Sequence, residues 1–295
     1  MKSLKISKGD RIFDIINYSI LTIVFIIVLY PLYFIVIASV SNPTLVNNGA
    51  MTLWPKGFML DGYKKVFEYV DVWVGYRNTI FYTVIGTILN VFVTMGVAYT
   101  LSRKNFLGKG ALMTYIMIPM FFTGGLVPTF LIVKKMGLYN TPLVMIIIGA
   151  INIFNVIIAR TYIQGTIPEE LYESAQMDGC NHFTFFFRII LPLSSSIIAV
   201  LTLYYAVDHW NDFFNSLIYL SNKNLFSLQL VLRGILIQSN IQTDMLQAED
   251  VVRQQYEAEL LKYALIIVTS LPILVIYPFM QKYFVKGVMI GSVKG

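Results

Sequence analysis

Cysteine, histidine and charge are scarce in this 295-residue chain, which has one Cys, two His and only 13% Asp, Glu, Lys and Arg together. With Cys180 alone, an internal disulfide and a cysteine-based metal cluster are excluded, and its place beside Gly179 suits a small residue in a reduced loop. His182 and His209 have no E-x-x-H or H-E-x-x-H partner, and Glu170-x-x-Glu173 lacks the second helix of a di-metal carboxylate site. No metal site is therefore expected. No G-x-x-x-x-G-K-[ST] phosphate loop occurs, because Gly108-Lys109-Gly110 lacks both the upstream glycine and the following hydroxyl residue. The chain is not expected to hydrolyse ATP by itself, and without a G-x-S-x-G elbow a hydrolase has little support. The formal charge of +6 is scattered over loops and ends rather than gathered on one face, which excludes a nucleic-acid surface.

What the chain has instead is apolar residue, at 57% of the sequence with a mean hydropathy of +0.68. So much apolar surface does not fit one water-soluble core and belongs in a bilayer. Lys2, Lys5, Lys8 and Arg11 precede an apolar run from Ile15 to Val40. That run exceeds the ~7–15 residues of a signal peptide and reaches the ~20 that span hydrocarbon, so an uncleaved first span with a cytoplasmic N-terminus (1–14) is expected.

Six spans are expected, at about 15–40, 78–101, 111–133, 143–163, 192–214 and 262–284, making an all-α integral membrane protein. Arg103, Lys104 and Lys109 place the loop after the second span in the cytoplasm, although Lys64, Lys65, Lys134 and Lys135 fall on the expected outer side. The third span carries Pro119, Gly124, Gly125 and Pro128, a density of helix breakers that must be packed against protein or line a cavity. An outer region, 215–261, joins the last two spans and contains a helical-looking stretch from Leu225 to Ile237. A glycine-punctuated tail, 285–295, ends in the cytoplasm beside the N-terminus.

One polar interruption, 164–191, has ordered helical grammar. Thr166 with Glu169 reads as a capping box, Pro168 falls in the first turn, and Gly179 stands where a residue of positive φ would end the helix. Asn181 can cap a second, phenylalanine-rich helix running to Pro192. The result is helix, glycine corner, helix, with Glu170, Glu173 and Asp178 on the first arm beside small Ser174 and Ala175.

The spacing Glu173-Ser174-Ala175, three residues, Gly179, nine residues, Ile189-x-Leu191-Pro192 resembles the EAA loop of ABC-importer permeases, with Ser174 replacing the first alanine. Asp178 and the run Pro168 to Leu171 are similar to the maltose-type carbohydrate subfamily, the MalG/LplC-like oligosaccharide permease subunits, and the likeness extends over essentially the whole chain. The resemblance implies an ABC type I importer permease fold with a cytoplasmic EAA coupling helix, in a bacterial inner membrane. It further implies a second, homologous permease, two ATPase subunits that bind ATP and Mg, an extracytoplasmic sugar-binding protein and an oligosaccharide solute. Glu170, Glu173, Ser174, Ala175, Asp178 and Gly179 would face the ATPase, and Gly287, Gly291 and Lys294 of the tail would reach toward it.

Polar groups inside spans are costly and so are candidates for the solute pathway: Asn90, Asn152, Asn155, Asp208, Trp210 and Asn211. Hydrogen bonding between helices is the competing use of the same asparagines. Two rival functions carry their own expectations. A transporter of small polar solutes driven by an ion gradient calls for buried acids along an ion path and inverted repeats, and the sequence offers neither. An intramembrane enzyme calls for turnover that depends on Asp208 or His209.

Overall fold

A computed structural model describes residues 8–241 and 248–292, with side-chain surroundings described for 8–237 and 256–278. It is all-helical among the described residues. The chain divides into two compact units, 1–68 with 235–270 and 69–234 with 271–295.

In the first unit, α1 (Lys8–Ala38) is a 31-residue helix running unbroken through Pro31 and buried only at Ile37 and Ala38. The short α2 (Pro43–Asn47) starts on Asn42, whose side chain accepts from the Thr44 N–H, and Val46 and Met51 pack with the end of α1. Helix α3 (Asp61–Glu68) lies hard against the chain's last helix, where a Cβ on Gly62 would stand 2.6 Å from the Leu260 carbonyl oxygen. Lys65 and Glu257 pair there at 2.8 Å.

The second unit is built on α4 (Val70–Ser102). Its buried stripe is small and polar, running Gly75, Thr79, Tyr82, Gly86, Asn90 and Thr94 at helical spacing, while Ile80, Phe81, Val84, Ile88 and Phe92 are exposed. That inverted pattern belongs to a helix that faces lipid outside and protein inside. Next come α5 (Lys109–Phe121) and α6 (Leu126–Lys135), bent 116° apart. The expected third span is thus broken at Gly124 and Gly125, and this stretch is exposed rather than packed within the chain. Gly125, at φ 83°, lets the chain turn where a Cβ would resist.

The expected fourth span is also split, into α7 (Pro142–Ile147) and α8 (Ile153–Thr166) with a non-helical break at 148–152. Two arms of the polar interruption follow, α9 (Glu169–Met177) and α10 (His182–Leu193), the latter carrying a π-helical turn at Phe186–Ile190. Helix α11 (Ser195–Trp210) leaves α10 at 82°, with Pro192 in the preceding helix. Helices α12 (Phe214–Tyr219), α13 (Leu228–Ile241) and α14 (Ala248–Ser292) complete the order. Gln247 and Lys294 lie outside the described residues. Gly287 and Gly291 continue the backbone of α14.

By length and composition α1, α4 and Tyr256–Pro278 each reach across a membrane, as do the two bent pairs α5 with α6 and α10 with α11 if each counts as one span. Helices α8 and α11 pack on α4. The core between them and α10 holds Met95, Tyr99, Ala159, Ile163, Phe185, Ile190, Leu201 and Tyr205.

Candidate functional site

Two places in the second unit collect the candidate residues. The first is the elbow formed by α9 and α10. Its start differs from the capping box expected at Thr166: α8 continues through that residue, with Ile167 N–H donating to the Ile163 carbonyl at 3.0 Å. Pro168 then disfavours helical geometry in the residue before it, and Ile167 sits at φ −109°, ψ 106°. The break therefore falls at Ile167, and Pro168 occupies the N-cap with no side-chain acceptor.

Glu169 does other work. Its carboxylate lies 3.6 Å from Arg103, whose side chain is 8% exposed. The Arg103 guanidinium also lies over the rings of Tyr99, Tyr172 and Phe185, at 5.3, 5.0 and 5.9 Å. A cation in this position suits the carbonyl end of α4, which it caps. The last carbonyls of α4 are met from neighbouring elements: Leu101 by Arg160 Nε, Ser102 by Gln164 Nε2 and Arg103 by Lys109 Nζ, each at 3.2 Å. Helix ends need such partners.

Tyr172 is the buried anchor of α9. Its ring stacks on His182 at 5.4 Å and meets Phe185 edge-on at 5.0 Å. Gln176 Nε2 donates to its hydroxyl at 2.9 Å, and that hydroxyl and the Tyr99 hydroxyl both bond the His182 ring.

The corner itself follows the grammar of the sequence. Gly179 is at φ 76°, its N–H donates to the Gln176 carbonyl, and Cys180 N–H donates to Ala175, both at 2.9 Å. Those two bonds define a Schellman ending, which leaves α9 a stop that only a residue tolerant of positive φ supplies cheaply. Asn181 Oδ1 then accepts from Thr184 N–H at 2.8 Å and starts α10. Of the expected docking residues, Glu170, Glu173, Ser174, Asp178 and Gly179 are exposed, whereas Ala175 packs against the chain's own core. Arg103 is legible in the sequence only as a loop charge; its link to Glu169 joins residues 66 apart and has no local signal.

The second place is a cavity of about 370 Å³ between α4, the break at 148–152 and the end of α11. Asn90, Asn152, Asp208 and Asn211 line it; Asn155 and Trp210 do not. Asn155 is buried, and Trp210 is buried with its ring edge-on to Tyr76 at 6.2 Å. Asn152 also has a structural role. Its Oδ1 accepts from the Asn155 N–H at 3.2 Å, which makes it the N-cap of α8.

Tyr205, His209, Asp212 and Asn215 join the lining. Tyr205, Asp208, His209 and Asp212 repeat at three- and four-residue steps, a helical face that was available in the sequence. Tyr205 accepts from the Asn152 N–H at 3.2 Å and shares a 2.7 Å hydrogen bond with Thr94. Asn90 Nδ2 donates to His209 Nε2 at 3.0 Å. Gly86 makes room for that imidazole, since a Cβ there would stand 2.4 Å from His209 Nε2. Among the described residues no group of three or more His, Cys, Asp or Glu could hold a metal ion.

The chain belongs to the family of binding-protein-dependent transport system inner membrane components, whose profile matches residues 72–290. It is 39% identical over 290 residues to protein LplC of Bacillus subtilis (strain 168), covering 98% of this chain and 97% of that one. It is 38% identical to the polygalacturonan/rhamnogalacturonan transport system permease protein YtcP of the same strain, covering 97% and 99%. Among solved structures it resembles a chain of a bacterial ABC transporter involved in the import of the acidic polysaccharide alginate. The TM-score is 0.84 at 30% identity, with 96% of this chain and 100% of that one covered. The chain is accordingly a multi-pass membrane component of an ABC transport system.

Proposed function

We propose that this chain is one of two permease subunits through which an ATP-driven importer moves oligosaccharides across a bacterial cell membrane, by alternating access. The observation that carries the coupling half of this reading is the elbow. Helix α9 is fixed to the body of the chain by Arg103 and Tyr172, yet Glu170, Glu173, Ser174, Asp178 and Gly179 stay exposed. A short lever held on one side and bare on the other moves as one body with the helices it is clamped to, which is what transmission between subunits requires. Its partner is the ATPase, which supplies the phosphate loop this sequence lacks and binds the ATP and Mg.

In this arrangement residues 164–191 form the cytoplasmic coupling loop, both termini lie in the cytoplasm, and Gly287, Gly291 and Lys294 point toward the ATPase pair. A homologous permease covers the exposed break at Gly124 and Gly125. An extracytoplasmic sugar-binding protein docks on the outer region, 215–261. The oligosaccharide assignment draws on similar chains that include arabinooligosaccharide and galactooligosaccharide transport system permeases.

Purification of the tagged chain from native membranes in mild detergent is expected to recover an ATPase and a second permease. Proteoliposomes of that complex, supplied with the binding protein, are expected to take up oligosaccharide only with ATP. Uptake that survives without ATP and collapses with an uncoupler would overturn the reading in favour of an ion gradient.

A further inference from the structure

We infer that α10, the second arm of the elbow, is an interfacial helix seated in the cytoplasmic leaflet, with Phe183 and Phe187 among the lipid chains and Arg188 at the headgroups. The choice of leaflet rests on the reading of 164–191 as the cytoplasmic loop; the contact with lipid does not. Helix α11 runs beside α4 in the opposite direction, since Thr94 bonds Tyr205 at 2.7 Å and Asn90 bonds His209 at 3.0 Å. Helix α4 is long and apolar enough to cross a membrane. With α10 bent 82° from α11, this arm lies across the spanning direction rather than along it.

Its two sides differ. Phe185, Phe186 and Ile190 are buried in the chain's own core, whereas Phe183 is 78% exposed and Phe187, four residues on and so on the same side, is 50% exposed. Large apolar side chains left bare together mark a surface that something covers.

Continuity and charge both identify lipid as that cover. The Phe92 ring of α4 lies 6.1 Å from Phe187 and 6.3 Å from Phe186, and Phe92 belongs to the exposed apolar side of α4 with Ile85 and Ile88. The surface that meets lipid on the span therefore continues onto α10. Residues 182–193 contain no Asp or Glu, and Arg188 is exposed. By contrast α9 carries Glu169, Glu170 and Glu173, with Asp178 just after it. Gly179 thus separates an acidic arm from an aromatic, basic one. An anionic leaflet attracts the second and repels the first, which holds α9 off the membrane where a protein partner can reach it.

Spin labels report this placement in the assembled importer, reconstituted in vesicles of phosphatidylethanolamine with phosphatidylglycerol. In a Cys180→Ser background, Phe183→Cys and Phe187→Cys each carry a nitroxide, and its collisions with oxygen, which concentrates in lipid, are compared with those of a water-soluble nickel chelate. Both labels are expected to favour oxygen and to lie about 5–10 Å into the boundary between headgroups and chains. Adding Arg188→Glu is expected to move the label at 183 toward water in these vesicles and not in vesicles of phosphatidylcholine alone. Labels that meet nickel as freely as oxygen would put α10 in water, and labels shielded from both would put it against the second permease or the ATPase. Either result overturns the proposal, as does a label that Arg188→Glu leaves unmoved. ATP-driven uptake by the Cys180→Ser preparation is a separate arm, whose failure would count against the importer reading and leave the label depths standing.

Discussion

Gly179→Asp is expected to leave the protein in the membrane and to stop ATP-driven uptake. Gly179 ends α9 at φ 76°, and no heavy atom lies within 4 Å of where its Cβ would stand. The substitution meets open space, so its cost within the chain is the left-handed backbone alone, about 1 kcal/mol, and less for Asp than for most residues. Its effect falls on whatever covers the corner. A new carboxylate at a packed interface, beside Asp178 and six residues from Glu173, costs the partner several kcal/mol in desolvation and repulsion. About 3 kcal/mol corresponds to roughly 100-fold weaker ATPase binding. Membrane insertion measured by fractionation, ATPase retention measured on co-purification, and uptake then separate. Normal uptake with the ATPase retained would show that the corner docks on nothing.

Arg103→Ala is expected to free the elbow from the chain that it moves. Arg103 joins α4 to α9 by its ion pair with Glu169 and by stacking on Tyr99, Tyr172 and Phe185, so truncation removes a charge partner and an apolar stem together. Breaking a sealed pair costs more than an exposed one, and here the Glu169 side chain keeps 20% of its surface in solvent. A loss of about 2–3 kcal/mol in the docking of α9 is therefore expected, which speeds hydrogen exchange of its amides by roughly 50-fold. Uptake is expected to fall while the ATPase remains bound, because Glu173 and Gly179 are untouched. Arg103→Lys keeps the charge without the planar stacking and is expected to fall between the two. Unchanged exchange in α9 would mean that Tyr172 alone holds the elbow.

The residues that were legible in the sequence are those governed by local rules. Gly179 and Asn181 obey helix-end chemistry set within four residues, and both behave as that chemistry dictates. Thr166 failed as a cap because Pro168 moved the break to Ile167, a competition between two local rules of which the steric one won. Asn152 reads in the sequence as a polar group inside an unbroken helix; with the helix restarting at Ile153, its side chain also serves as the cap. The bend at Ser194 and the breadth of the cavity had no local signal. They depend on how α4, α8 and α11 pack, as does the clamp between Arg103 and Glu169. Long helices were readable from composition because α4 turns its small polar stripe inward and its apolar side outward, whereas the expected spans at 111–133 and 143–163 are each split into two shorter helices.

Site-directed cross-linking from the elbow tests the central claim most directly. With Cys180→Ser removing the native thiol, Ser174→Cys puts a single reactive group on the exposed side of α9. In intact cells this thiol is predicted to be reached by a membrane-permeant reagent and not by an impermeant one. In inverted vesicles a short bifunctional reagent is predicted to join it to the ATPase subunit. Labelling of Ser174→Cys from outside the cell, or the absence of any ATPase adduct from cysteines placed in turn at 170, 173, 174 and 178, would contradict it.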